Sequence, residues 1–441
     1  MASNFPKIKN AFRALGHRNY RLFFIGQGLS LIGTWMQNLA LSWLVYRLTN
    51  SVFLLGVVGF SSQIMIMLFS PLAGVIADRF NRQRVIILTQ TLALLQAVVL
   101  TILVYANLIN VWEIIVLSLI LGFVMSFDAP MRQSFVVEMV DDKKDLGNAI
   151  ALNSTMFNGA RLIGPALAGL AIAALGEGFC FLINAISYLA VIVSLLMMKL
   201  NRAPRPKRES HVLREMREGF AYAYRFPPIR YVLLLLGSIS LIGMPYAVML
   251  PVFARDILRG GPQTLGLLVG MSGIGAICGG ALLATRKNVL GLTRIIPAAA
   301  TIFSLGLIAF SFSRVLWFSL IAVTLTGFGM MLHMASSNTL IQTVVEEDKR
   351  GRVMSIYTMA FLGMTPFGSL IVGSLASRIG VQLTLTLCGL ICLLFTAHFV
   401  SLLPEIRKTI RPVYIKMGIL PGELNAAIQS VSQLAEVTEK E

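Results

Sequence analysis

The sequence predicts an all-α integral membrane protein whose twelve membrane-spanning helices form two pseudo-symmetric six-helix bundles. Three observations support this prediction. Of the 441 residues, 56% are hydrophobic and only 13% are charged; apolar runs of spanning length recur along the chain; and one long polar stretch divides them six and six. So little polar surface cannot cover a soluble globule. The runs show no strand alternation and are too long for the strands of a membrane barrel.

Each run is long enough to cross a membrane, because a hydrocarbon core of about 30 Å needs roughly 20 apolar residues in a helix. We number the predicted spans one to twelve. In chain order they lie near 22–46, 52–77, 85–106, 111–131, 151–174, 179–199, 231–252, 264–285, 295–312, 316–338, 353–377 and 381–403.

The basic residues that give the chain its formal net charge of +17 are distributed as the predicted topology requires. With the N-terminus inside, the even-numbered loops, both tails and the central linker carry 31 of the 37 Lys and Arg residues. One more, Arg161, lies within span five. The outside loops carry only Arg47, Arg255, Arg259, Arg314 and Arg378. This asymmetry obeys the positive-inside rule and predicts a multi-pass protein of the cell (inner or plasma) membrane with both termini cytoplasmic. It also leaves no reason to expect nucleic-acid binding.

The polar stretch at 200–230 predicts a cytoplasmic linker between two domains, the bundles 22–199 and 231–403. A short N-terminal segment (1–21) and a cytoplasmic tail (404–441) flank them. Helical patterning and charges of both signs between Glu209 and Tyr224 predict a short amphipathic helix at the membrane surface.

The two halves resemble each other in sequence. Three glycines of span five recur in span eleven with the same spacing, each displaced by 204 positions, and "VDDKKDLGNA" (140–149) parallels "EEDKRGRVMS" (346–355) just before these spans. The pairs are Gly164 and Gly368, Gly169 and Gly373, Gly176 and Gly380. Such a duplication is typical of transporters built from two parallel repeats, with the binding site between them near mid-membrane.

The stretch "GVIADRFNRQR" (74–84), between spans two and three, resembles the loop signature of the major facilitator superfamily, G-x-x-x-D-R-x-G-R-R. Asn81 stands where the signature has glycine, and Gln83 interrupts the final basic pair. The positions that fit are Gly74, Asp78, Arg79, Arg82 and Arg84.

The resemblance implies that this segment is an inner gate: Asp78 would dock against span eleven and help to latch the cytoplasmic side shut. Gly74 would permit close helix approach. The alternative is plain topology, three arginines on a short inner loop. Arg82 and Glu138 are a further candidate pair for relaying the gate's state.

Span five resembles the antiporter signature that ends in G-P-x-x-G-G. Gly164, Pro165 and Gly169 match it, whereas Ala168 replaces one final glycine and Ala160 an upstream one. The stretches "FDAPMRQSFVVEMV" (127–140) and "NGARLIGPALAG" (158–169) are similar to the branch that contains the enterobactin exporter and macrolide efflux proteins. Both resemblances imply export.

Two ionisable residues within the spans are candidates for a proton or charge pair, because a charge near the bilayer centre costs at least about 2.5 kcal/mol. Arg161 needs an acid, backbone carbonyls or an anionic ligand. Asp128 could supply that acid and act in proton coupling, or it could form a purely structural pair with Arg132, four residues on.

Polar residues in the spans are candidates for the substrate cavity. Gln27, Thr34 and Asn38 fall on one stripe of span one, which either lines the cavity or packs against another helix. His333 could instead bond a neighbouring carbonyl. The further candidates are Gln63, Asn158, His333 and Asn338.

No hydrolase, phosphate-loop or metal-site motif is present, so we expect neither enzyme activity nor a cofactor or metal. No ATP-binding domain is expected in this chain. The predicted function is secondary active export of a medium-sized amphipathic organic molecule, a siderophore or drug, by alternating access and proton antiport. Its partners are then a small-molecule substrate, protons and membrane lipid. The alternative is uptake or facilitated exchange of a small metabolite or lysophospholipid.

Overall fold

The computed structural model describes residues 12–199, 212–286 and 288–420, without the side chains of 71–79 and 212–216. This part of the chain is helical and contains no strand. The spans are the helices Arg18–Thr49, Val52–Arg79, Arg82–Tyr105, Val111–Met139, Leu146–Leu175, Glu177–Leu196, Pro227–Ile242 with Tyr246–Val252, Pro262–Ala284, Leu292–Phe312, Leu316–Val344, Arg350–Thr358 with Met364–Ile379, and Val381–Ser401. Helices Val212–Arg225 and Leu403–Lys416 lie outside the spans.

Eleven of the described helices are long and apolar enough to cross a membrane, and they correspond to predicted spans two to twelve. Span one is not among them although its helix has 32 residues. The reason lies in its composition, since Gln27, Gln37 and Asn38 lower the hydropathy of its middle. A span with this many amides must bury them against protein or line a cavity.

Consecutive spans run in opposite directions, so the connections fall on two sides of the molecule. We call the side that carries Phe12–His17, the helix Val212–Arg225 and the helix Leu403–Lys416 the linker side, and the opposite side the far side. On the linker side, a carboxylate oxygen of Glu218 and a guanidinium nitrogen of Arg352 form an ion pair at 2.8 Å. It joins the helix Val212–Arg225 to the start of span eleven.

The segment with the superfamily signature is mostly helix, not loop. Span two continues to Arg79, and only Phe80 and Asn81 separate it from span three. The side-chain oxygen of Asn81 accepts a hydrogen bond from the backbone N–H of Arg84 at 3.2 Å, so Asn81 caps span three. Asparagine is a favoured N-cap residue, which explains its presence where the signature has glycine.

The repeated glycines occupy equivalent positions in the two halves. A Cβ added to Gly164 would lie 3.0 Å from the carbonyl oxygen of Ile32 in span one. A Cβ added to Gly368 would lie 2.7 Å from Cγ of Pro245 in span seven, the counterpart of span one. The first glycine of each set therefore lets its span pack closely within its own bundle.

The second glycine of each set contacts the other bundle. Gly169 would place a Cβ 3.2 Å from Cα of Gly266 in span eight, and Gly373 would place one 3.1 Å from Cα of Gly56 in span two. Spans two and eight are themselves counterparts. The structure thus confirms the pseudo-symmetry of the bundles and shows that the two interfaces between them are equivalent.

The third glycine of each set ends its span. Gly176 and Gly380 have φ of 82° and 84°, a left-handed region that side-chain-bearing residues rarely adopt. Both lie on the far side, where they let the chain turn at once into the next helix.

Candidate functional site

The two bundles are joined by polar contacts on the far side. The guanidinium of Arg255, at the end of span seven, donates to Oδ1 of Asn50 at 2.8 Å, and lies 5.6 Å from the ring centre of Tyr46. The Tyr46 hydroxyl donates to the carboxylate of Asp256. We call Tyr46, Asn50, Arg255 and Asp256 the far-side lock. Among described side chains, these hydrogen bonds are the ones that cross between the bundles.

The local backbone explains how neighbouring residues Arg255 and Asp256 both reach span one. They lie in a five-residue π turn, Phe253–Ile257, that ends span seven. Such wider turns occur often at functional sites. Asn50 caps the end of span one in the left-handed conformation, which asparagine tolerates, so its side chain stands at the rim.

Contacts between the bundles continue from the far side to mid-membrane. There Gly273 of span eight would place a Cβ 3.6 Å from the carbonyl oxygen of Arg161, and Gly363 would place one 3.5 Å from Sδ of Met67. Nearer the linker side the molecule holds a cavity of about 570 Å³. It is lined by Phe23, Gln27, Leu31, Ala129, Arg132, Gln133, Val136, Ile150, Asn153, Ser154, Met156, Phe157 and Asn158. The polar contacts between the bundles therefore lie on the far side, whereas the cavity lies nearer the linker side, among spans one, four and five of the first bundle.

Asp128 pairs with Arg132, and the expected pair between Asp128 and Arg161 does not form. Oδ2 of Asp128 lies 2.6 Å from Nε of Arg132, while Oδ1 accepts hydrogen bonds from Thr89 and Gln90, both at 2.8 Å. The carboxylate is fully buried; Oδ1 is hydrogen-bonded, whereas Oδ2 has the ion pair with Arg132 but no hydrogen bond in the described structure. Because four residues make about one turn, the local partner is already in place when span four forms. Arg132 lines the cavity, and its partner Asp128 lies buried behind the cavity wall.

Arg161 lies at the interface between the bundles, near mid-membrane. Its guanidinium carbon is 5.9 Å from the ring centre of Trp35. Such a cation–π contact contributes about 0.5–2 kcal/mol. That is less than the cost of at least about 2.5 kcal/mol for a charge at this depth. No ion pair or hydrogen bond of Arg161 occurs within the described residues.

The signature segment contributes one pair that the structure bears out. Nη1 of Arg82 donates to the backbone oxygen of Ser134 at 2.8 Å and lies 3.1 Å from Oε1 of Glu138. Both contacts stay within the first bundle, so this arginine does not bridge the bundles in this state. The side chain of Arg84 is exposed. The side chains of Gly74, Asp78 and Arg79 lie outside the described residues, and the latch remains a prediction.

Two of the seven predicted cavity residues, Gln27 and Asn158, line the cavity. Gln27 is 3% exposed, and its Oε1 has no hydrogen-bond partner in the described structure. The other two residues of its stripe do not line the cavity: Thr34 is half-buried, and Asn38 is exposed elsewhere.

His333 is not a cavity residue. It is fully buried inside the second bundle, with Nδ1 3.3 Å from the carbonyl oxygen of Ile296 in span nine. The alternative for this histidine, a bond to a neighbouring carbonyl, is confirmed. Gln63 and Asn338 are half-buried and also lie outside the cavity lining. Asn338 accepts a hydrogen bond from Gln342 of its own helix.

A titratable cluster fixes the start of span one on the linker side. The ring of His17 lies 3.1 Å from Oδ2 of Asp145 and 3.2 Å from Oδ2 of Asp141. Desolvation lowers the pKa of His17, but the hydrogen bonds and charges of these carboxylates outweigh it, so the pKa is raised above 6.5. Protonation of His17 therefore strengthens this connection.

Sequence reasoning missed the far-side lock. The charge pattern indicates only that Arg255 belongs to an outside loop, and it gives Asp256 no role. The signal was present in part, since adjacent opposite charges at the end of an apolar span need partners, but nothing in the sequence pairs span seven with span one.

Comparison with known proteins places these features in a family. A family model described as "Transmembrane secretion effector" matches residues 9–414. The staphyloferrin A transporter of Staphylococcus aureus is 27% identical over 386 residues, which cover 86% of this chain and 96% of that protein. Macrolide efflux protein A of Streptococcus pyogenes is 23% identical over 409 residues, 89% and 98% of the two chains.

Solved structures share the fold. A bacterial homologue of the human lysosomal transporter Spinster, in an inward-facing and unoccupied conformation, superposes with a TM-score of 0.72 at 12% identity. The match covers 89% of this chain and 98% of that one. At this identity the likeness concerns the fold alone.

Proposed function

This chain belongs to the transmembrane secretion effector family, within the major facilitator superfamily, and on that premise we propose that it is an exporter. Its cargo is a medium-sized amphipathic organic molecule, a siderophore or a drug. Its relatives, a staphyloferrin A transporter and a macrolide efflux protein, support this range of cargo. Transport proceeds by alternating access and is driven by proton antiport.

The observation that carries the proposal is the asymmetry between the two sides. Equivalent glycine contacts and the far-side lock join the bundles near one side, while the cavity of about 570 Å³ lies near the other, among spans one, four and five. The positive-inside rule places the linker side in the cytoplasm. A cavity open to the cytoplasm is the state in which an exporter loads. The inward-facing state of the Spinster homologue has the same opening direction under this orientation.

Release on the far side requires the opposite state. The bundles rock against each other, the glycine contacts between them change, Tyr46–Asp256 and Asn50–Arg255 separate, and the far side opens. The segment Gly74 to Arg84 then closes the linker side. Each transition needs a ligand with different affinities for the two states, because a ligand that binds both equally shifts no equilibrium.

Asp128 is the proposed proton site. It is a buried carboxylate paired with Arg132, which lines the cavity, and protonation would remove the charge that holds Arg132. The position of Arg132, and with it the shape and charge of the cavity, would then depend on the proton. Thr89 and Gln90 keep the carboxyl group in place in both protonation states.

The test is transport in proteoliposomes under an imposed pH gradient, with a panel of siderophores and drugs. The native protein is compared with Asp128→Asn and with Glu113→Gln as a matched control. Glu113 belongs to the same span but only completes its far-side N-cap with Asn110. We expect gradient-driven transport by the native and control proteins, and exchange without gradient response in Asp128→Asn.

Two results would contradict the proposal. Transport that ignores the gradient in all three proteins would exclude proton antiport. Accumulation of the cargo against the expected direction would support uptake instead of export.

A further inference from the structure

Arg161 is a cation that faces the junction of the two bundles. It lies in span five, its guanidinium stands over Trp35 of span one at 5.9 Å, and its main chain touches Gly273 of span eight. Residues from both bundles therefore lie beside it, at the depth where repeat transporters hold their substrates.

The described carboxylates of the spans are all engaged elsewhere. Asp128 holds Arg132, Asp256 accepts from Tyr46, and Glu177 holds Arg47 with a nitrogen–oxygen distance of 2.7 Å. Glu138 pairs with Arg82, and Glu113 belongs to the N-cap of span four. None of these described acids neutralises Arg161.

The surroundings of Arg161 suit an organic ligand with an anionic end. Asn158, one turn earlier in span five, lines the cavity, so Arg161 stands just deeper than the cavity wall. Phe157 packs edge-on against Trp35 with ring centres 6.0 Å apart, which provides an aromatic wall. Across the same cavity, the buried Oε1 of Gln27 lacks a partner. A planar guanidinium pairs with a carboxylate through two parallel hydrogen bonds.

We propose that Arg161 binds a carboxylate of the transported molecule, with the Trp35–Phe157 wall holding its apolar body and Gln27 donating or accepting at its polar edge. The inference rests on the proposed transport function and narrows it to organic anions. Outward movement of an anion against an inward proton carries net positive charge into the cell. Transport of such a cargo is therefore electrogenic, and an inside-negative potential drives export.

The binding test uses the purified full-length protein in nanodiscs and two matched probes, 2-naphthoate and its neutral methyl ester. Binding is followed through tryptophan fluorescence. We expect the native protein to bind the carboxylate about 10- to 100-fold more tightly than the ester, the usual range for a charge-assisted hydrogen bond.

Variants locate the preference. Arg161→Gln should abolish the preference for the carboxylate. Arg161→Lys should keep part of this preference, because the positive charge remains but the planar pair of guanidinium donors is lost. Arg314→Gln, which removes an arginine from the far-side rim, should leave it unchanged. Size-exclusion profiles and melting temperatures check that each variant is folded. Equal affinity for the two probes in the native protein, or a preference that survives in a folded Arg161→Gln, would overturn the inference.

Transport separates this inference from the function it rests on. If the native protein and a folded Arg161→Gln export the carboxylate members of the panel equally well, the protein is a transporter but the carboxylate site is wrong. Loss of carboxylate export in Arg161→Gln, with neutral substrates still carried, supports the site.

Discussion

Removing one hydroxyl from the far-side lock should open the far side. Tyr46→Phe deletes the donor to Asp256, which then loses its partner across the bundles. A hydrogen bond to a charged group contributes about 1.5–3 kcal/mol net. In the far-open state Asp256 is hydrated in both the native protein and the variant. The substitution therefore removes this free energy only from the far-closed state. The ratio of far-open to far-closed molecules should therefore rise about 10- to 150-fold.

Double electron–electron resonance measures that ratio directly. Spin labels replace Leu108 and Val315, which are 67% and 62% exposed and lie on far-side connections of different bundles. The native cysteines are first replaced, since Cys278 is exposed and would also react. We expect a longer label distance to gain population in Tyr46→Phe.

The matched control is Tyr105→Phe, which removes a hydroxyl from an exposed tyrosine on the same side without a bond between the bundles. Identical distance distributions in the native protein and a folded Tyr46→Phe would refute the lock. A shift of the same size in Tyr105→Phe would show that hydroxyl loss acts through general destabilisation.

Three further predictions concern packing, pH and orientation. Gly169→Ala should also favour the far-open state, because its Cβ would lie 2.8 Å from the Pro262 carbonyl oxygen. Gly147→Ala, with open space around it, should not. The same resonance assay checks both variants. His17→Asn should lower the melting temperature more at pH 5.5 than at pH 8, because a raised pKa gives a contribution that is complete below pH 6.5 and lost as pH rises through the folded-state pKa. In intact cells, a membrane-impermeant maleimide should label a cysteine placed at Leu108 but not one placed at Lys143, and the reverse pattern would invert the topology.

The sequence predicted features that depend on local pattern. Spanning length, apolar composition and the glycine spacing were enough for the spans and the duplication, because each depends on residues close together in one helix. The glycine spacing also predicted contacts between spans, because glycines at equivalent positions of two repeats should contact equivalent spans. Gly169 and Gly373 do contact counterpart spans.

Charged pairs could be predicted only where they were local. Asp128 and Arg132 are four residues apart, and the structure pairs them. Asp128 and Arg161 required knowledge of how spans four and five are rotated about their axes, which one sequence does not contain. The far-side lock is harder still, because its two halves lie about 200 residues apart at the ends of helices that the sequence does not associate.

The same span that holds the two bundles together also carries the proposed binding residue. Arg161 precedes Gly164 by about one turn, and Gly164 packs span five onto span one while Gly169 packs it onto span eight. Rocking of the bundles must change the Gly169 contact, whereas the Gly164 contact can persist because it lies within one bundle. Arg161 and Trp35 therefore move together through the cycle, and the part that changes is the wall from spans seven and eight. A carboxylate held by Arg161 would meet a different opposite wall in each state, which is the differential affinity that alternating access requires.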